Sequence, residues 1–288
     1  MHGNTPFQID GPRKQSTILP MLIPLMGILS CGQSFPPPEA VDVDRQHIQA
    51  LSKRTLFFGH QSVGGNILDG ARSLLSRASA GVSIVATKNA ADLEPGTWAH
   101  SLVGRNEDPA SKIAAFKEIM DGGLGDHVDL AFVKLCYVDF NAATDVHALF
   151  ADYQRTLRGL EKAYRKTMFV HLTVPLTIVQ TGVKSSLKKM LGKTVWGEAE
   201  NGKRFEFNEL LRREFATAPV FDLAKLEATT PSGKSHTVEV GGRDVEVMVP
   251  TYTYDDGHLN EAAQLYVASH LLNFLGALSV PIAADSMK

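Results

Sequence analysis

The sequence predicts an α/β fold: a three-layer α/β/α sandwich with a mostly parallel central sheet and one inserted β-hairpin. Three observations predict it. Beyond residue 45, short β-rich runs alternate with helical segments, and parallel neighbours require such crossovers. The strongest run, 128–138 (VDLAFVKLCYV), is nearly continuous in apolar residues, as expected of a strand covered on both faces. The composition is 44% hydrophobic, 21% charged and 8% aromatic over 288 residues, which is ordinary for a globular chain and poor for a disordered or fibrous one.

Residues 1–31 read as a signal peptide ending in a lipobox. Arg13 and Lys14 precede an apolar stretch, 18–29, that ends at Ser30-Cys31; a basic region, a short apolar region and small residues are the grammar of a secretory signal. Pro20 and Pro24 interrupt the stretch, which is short for a bilayer span. Ile28-Leu29-Ser30-Cys31 resembles a bacterial lipobox, which implies cleavage before Cys31 and attachment of a diacylglycerol to its thiol. A plain signal peptide cut nearby and an N-terminal helix are the other readings. Residues 32–44 (GQSFPPPEAVDVD) are Pro-rich and polar and read as a linker tethering the domain at 45–288. The expected address is secreted or periplasmic, as a membrane-anchored lipoprotein.

Strands are expected at 55–59, 82–87, 128–138, 168–175 and 220–223. Helices are expected at 66–76, at 111–120 with Ser111 as N-cap, at 146–165, and at 261–275 with Asn260 as N-cap. A loop rich in Asn, Asp, Gly and Pro separates the second strand from the second helix. Two insertions break the rhythm. Residues 177–219 carry Lys184, Lys188 and Lys189 and a helix near 205–215, and residues 236–249 alternate around Gly241-Gly242 as a hairpin. Both are expected to overhang one edge of the sheet as a partial lid.

The net charge is -2 and the Lys cluster is short, which argues against a nucleic-acid partner. With Cys31 in the leader, Cys136 in its apolar run reads as a small buried hydrophobe and not as half of a disulfide framework.

Ligands of open α/β sheets bind beyond the carboxyl ends of the strands. After the first strand comes Gly59-His60-Gln61-Ser62-Val63-Gly64-Gly65-Asn66, and before the last helix comes Tyr254-Asp255-Asp256-Gly257-His258-Leu259-Asn260. A serine hydroxyl is a weak nucleophile until a base takes its proton, and a histidine does so when a third group fixes its tautomer. Asp255 and His258 lie three apart in a Gly-containing turn, so one turn can present both to a pocket that Ser62 enters from the other side. The order Ser…Asp…His occurs among known hydrolases. The residues alone leave other readings open. Ser62 could cap a helix, His258 could lie on the surface, and Asp256 competes with Asp255. Tyr137 and Asp139 could shape the substrate site or merely end a strand. His171 reads as a satisfied buried residue. His60, His171, His258 and an Asp lack any metal-site spacing.

The segments FFGHQSVGGNI at 57–67 and DDGHLNEAA at 255–263 resemble those of the SGNH (GDSL-like) hydrolase superfamily, with VFDLAKLE at 220–227 resembling the strand before the DxxH element. The resemblance implies a flavodoxin-like sheet, Ser62 as nucleophile, His258 as base and Asp255 as its orienter. It also implies an oxyanion hole containing Gly104, from HSLVGRNEDP, and an Asn after the third strand. This chain has Cys136-Tyr137-Val138-Asp139 there, so Asn106 and Asn141 become the candidates, with His60 lining the pocket. The implied activity is a serine esterase or deacylase acting on ester-linked acyl groups. Acetylated glycans are the leading substrate guess, and no cofactor or metal is expected. The alternative is an envelope glycan-binding or acyl-transferring protein that keeps the fold. A monomer is expected, with a small-molecule or glycan ester as partner and the membrane reached through the lipid anchor.

Overall fold

A computed structural model describes residues 35–279 except 181, 183, 184, 186, 188, 189 and 192–194. The expected signal peptide with Cys31, and the Lys184, Lys188 and Lys189 cluster, lie outside the described residues. The strands are β1 (Leu56–His60), β2 (Ser83–Ala86), β3 (Thr97–Leu102), β4 (Leu130–Val133), β5 (Met168–Leu172) and β6 (Val220–Phe221). They form a six-stranded sheet in the order β2-β3-β1-β4-β5-β6, with every pairing parallel. A separate antiparallel hairpin joins β7 (Thr237–Val240) to β8 (Arg243–Glu246) through Gly241-Gly242, both at positive φ. The chain fills one side of β1 and then crosses to the other, so β1 sits at the switch point where such sheets bind ligands.

The described helices are α1 (Arg45–Leu51), α2 (Val63–Ala78), α3 (Pro109–Asp121), α4 (Val146–Ala163), α5 (Glu198–Glu214), α6 (Leu223–Ala228) and α7 (Glu261–Ala277). Side chains alternate across a strand, and β1 shows the consequence. Leu56 and Phe58 join Ile67 and Leu68 of α2 and Val267 and Leu271 of α7 in one core. Phe57 joins Ile113 and Phe116 of α3, Leu157 of α4 and Phe207 of α5 in the other.

Several elements differ from expectation. The strand β3 falls inside the segment expected to be a loop. Thr97, Trp98 and Ala99 are buried between β1 and β2, but His100 and Ser101 hide the apolar pattern. The run 128–138 is a strand only to Val133, because the Asp139 carboxylate accepts the Cys136 N–H at 2.6 Å and curls the chain into a 3-10 turn, Tyr137–Asp139. Asp108, not Ser111, caps α3, accepting the Ser111 N–H at 3.0 Å with Pro109 in the first turn. Residues 35–44, within the expected 32–44 linker, lie along the domain. The Val41 N–H donates to Ser269 Oγ at 3.1 Å, the Asp44 N–H donates to Asn273 Oδ1 at 2.9 Å, and Thr251 Oγ1 donates to the Pro36 carbonyl at 3.1 Å. Among the described residues no helix is long and apolar enough to cross a membrane.

The two helices leading away from the switch point, α2 and α7, pack closely because Gly70 has no side chain. A Cβ there would meet the Gln264 carbonyl oxygen at 2.3 Å. Alanine gains up to about 1 kcal/mol over glycine within a helix, but overpacking against backbone costs about 1–3 kcal/mol. Gly70→Ala should therefore lower the stability measured by urea unfolding, despite its better helix propensity. A raised midpoint would refute this packing account.

Candidate active site

At the end of β1 the chain turns through Gln61-Ser62 into α2. Ser62 holds φ 51 and ψ -118, a left-handed backbone that a non-glycine residue adopts only when its surroundings impose it. Gln61 helps to impose it, since its Nε2 donates to the Val103 and Gly104 carbonyls at 3.3 and 3.1 Å. Ser62 makes no side-chain capping bond to α2. Its Oγ instead lies 2.6 Å from His258 Nε2.

His258 comes from the turn before α7. Asp255 Oδ1 accepts the N–H groups of His258 at 2.7 Å and Gly257 at 3.3 Å, and Asp255 Oδ2 lies 2.7 Å from His258 Nδ1. A carboxylate can only accept, so Nδ1 carries the ring proton and Nε2 is left free to accept from the Ser62 hydroxyl. Partial burial works to raise the Asp255 carboxyl, but the His258 amide and ring and the Gly257 amide outweigh it and hold the group below its ordinary value. Asp255 thus stays ionised opposite the imidazole. Asp256 turns away at φ 76, with its carbonyl accepting the Ile178 N–H at 3.0 Å. The next residues dock the turn: the Leu259 N–H donates to Asn66 Oδ1 at 3.2 Å, and Asn260 caps α7 by accepting the Ala263 N–H at 3.1 Å. Asn66, on the first turn of α2, was missed in the sequence; its place four residues after Ser62 was the available signal.

Tyr137 closes a third side. Its hydroxyl lies 3.2 Å from His258 Nδ1, and its ring meets the imidazole edge-on at 5.5 Å between centroids. Burial first, and then the Asp255 charge, push the phenol up to about 12. The Arg204 Nε donates to the Tyr137 carbonyl at 3.0 Å, and the guanidinium also bonds Thr177 and Asn201.

The expected pocket residues fare differently. His60 is not a pocket wall. It is 3% exposed, its ring stacks on Phe58, and its Nε2 bonds His100 Nδ1 at 3.0 Å. Burial, reinforced by the neighbouring His100 and Lys134, lowers it to about 3, so it stays neutral. Asn141 does not face Ser62 either: it is exposed and caps its own turn, accepting the Ala143 N–H at 2.8 Å. The side-chain oxygen of Asn106 accepts from Lys112 Nζ at 3.1 Å. Gly104, at φ 56, fits against α3 where a Cβ would meet the Lys112 backbone at 2.5 Å. It reaches the site through its carbonyl bond from Gln61. His171 is buried and satisfied between Tyr153 and Glu161. Among the described residues no cluster of three or more His, Cys, Asp or Glu could hold a metal ion. A cavity of about 800 Å³ lies along α1 and is lined by Arg45, Arg77 and Leu74; it contains none of the Ser62, His258 and Asp255 relay.

No protein-family model and no curated protein matches the chain. Solved structures similar to it include an acetyl xylan esterase, AlAXEase, at 15% identity and TM-score 0.44, over 75% of this chain and 97% of that one. Another is the periplasmic domain of the lipopolysaccharide acetyltransferase of Salmonella ser. Paratyphi A, at 11% identity and TM-score 0.39, over 81% and 88%. At such scores the likeness carries no argument about chemistry, which rests on this chain's own side chains.

Gly257 packs against Tyr137 so closely that a Cβ would meet the ring at 2.7 Å. Gly257→Ala must therefore displace either the phenol or the turn that carries His258. If the site is catalytic, turnover should fall about tenfold or more, since misplacement of about 1 Å is that damaging. An unimpaired variant would show that this contact does not set the site's geometry.

Proposed function

We propose that this chain is an extracytoplasmic serine esterase or deacylase of the SGNH (GDSL-like) type. The observation that carries the reading is the relay from Ser62 Oγ to His258 Nε2 at 2.6 Å and from His258 Nδ1 to Asp255 at 2.7 Å, headed by a serine in a strained backbone. A surface serine needs neither the strain nor the partners. Strain of this kind concentrates at functional sites, and it favours turnover over a role in glycan binding alone.

In this mechanism Ser62 Oγ attacks the ester carbonyl carbon while its proton passes to His258 Nε2. Asp255 holds the imidazole in the needed tautomer and stabilises the cation that forms. The tetrahedral intermediate collapses as the carbonyl re-forms and the ester C–O bond breaks, and the leaving alcohol takes the proton from Nε2. Water, deprotonated by the same imidazole, then releases the acid and restores Ser62. The start of α2 at Ser62 favours developing negative charge. Tyr254, 65% exposed, stacks parallel to His258 at 5.9 Å. Its outer face offers a flat apolar surface for a sugar ring, which supports an acylated glycan as substrate.

A fluorophosphonate probe should label the wild type and spare Ser62→Ala, with hydrolysis of p-nitrophenyl acetate falling by about 10³-fold or more in the variant. Equal labelling of the two would defeat the assignment. The proposed address is a lipid-anchored one, with Cys31 acylated after cleavage of the leader. Metabolic labelling with a fatty-acid analogue should mark the wild type and not Cys31→Ala; an unlabelled wild type removes the anchor.

A further inference from the structure

Ester hydrolysis needs a donor for the oxygen that becomes negative in the transition state, and neither Asn106 nor Asn141 has its side chain engaged at Ser62. We propose that the Tyr137 hydroxyl is this donor, bonding the oxyanion formed when Ser62 attacks the acyl carbon. The proposal rests on the esterase reading and adds a residue to it.

Three observations converge on Tyr137. Its hydroxyl lies beside the relay, 3.2 Å from His258 Nδ1, with the Ser62 side chain among the groups that act on it. Its proton is available. With Nδ1–H committed to Asp255 and Nε2 to Ser62, neither ring nitrogen takes the phenol proton; Ser62 Oγ, beside which the oxyanion forms, is its acceptor on that side until the incoming oxygen replaces it. Its position is imposed from three sides. Gly257 abuts the ring, Arg204 anchors the Tyr137 carbonyl and lies 5.8 Å over the ring, and Asp139 fixes the turn by accepting the Cys136 N–H. Preorganised donors of this kind act without reorientation during the reaction. Burial and the Asp255 charge keep the phenol protonated through the neutral and mildly alkaline range, so it donates throughout.

Tyr137→Phe removes the hydroxyl and retains the ring that packs on Gly257 and Arg204. With p-nitrophenyl acetate its kcat should fall about 10²-fold, with KM changed by no more than about twofold. The acid limb of the kcat/KM pH profile and the melting temperature should stay where they are in the wild type. A kcat within about threefold of the wild type, measured while Ser62→Ala is inactive, overturns the donor and leaves the serine nucleophile standing. A rate loss with a displaced acid limb also overturns it, because the phenol would then be acting on the imidazole. So does a rate loss matched by a lower melting temperature, which marks a packing role. A wild type inert to both ester and fluorophosphonate removes the esterase reading and the donor together.

Discussion

The contact between α2 and α7 is the constraint on which the site depends. Both helices begin at the carboxyl edge of the sheet, α2 with Ser62 just before it and α7 with His258 three residues before its first turn. Their approach at Gly70, against the Gln264 carbonyl, sets how far apart those two starts can lie. Asn66 ties them again by accepting the Leu259 N–H. A hydroxyl and an imidazole 196 residues apart in sequence therefore meet at 2.6 Å as a consequence of helix packing.

The opposite layer supplies the third side, through buried charge. Lys112 of α3 and Asp139 of the loop after β4 are both 0% exposed and pair at 2.6 Å. Asp139 also accepts the N–H groups of Glu107 and Cys136. Burying such a pair gives little net stability, but removing one partner strands the other and costs about 3–5 kcal/mol. The pair acts as a fixed peg that joins the loop of Gly104 to the loop of Tyr137. Arg204 of α5 adds a second tie by bonding the Tyr137 carbonyl. The loops that face Ser62 are thus held by side chains from helices on the far side of the sheet, which lets a loop site keep a defined geometry.

The division of labour in the site follows from local environment. Asp255 is exposed enough to stay charged and is fixed by amides of its own turn. Tyr137 is buried enough to stay protonated. His60, on the core side of β1, is buried enough to stay neutral. Residues near one strand end therefore take unlike protonation states, and proton traffic is confined to the Ser62–His258 pair.

What the sequence by itself determined was whatever depends on neighbours in the chain. The parallel α/β class followed from alternation and continuous apolar strands, and the hairpin followed from Gly241-Gly242. The turn 255–258 was legible because three residues suffice to bring a carboxylate onto a histidine's amide and ring, and Asn260 because a cap acts within one turn. The strand β3 was not legible, since its membership depends on β1 and β2 lying beside it while His100 and Ser101 blur its pattern. Only the tertiary structure decided that His60 is buried in the core and that Tyr137 stands at His258. Those outcomes depend on contacts between residues far apart in sequence, such as Lys112 with Asp139 and Arg204 with the Tyr137 carbonyl. Spacing and periodicity describe a residue's own segment, and these bonds are made across the sheet.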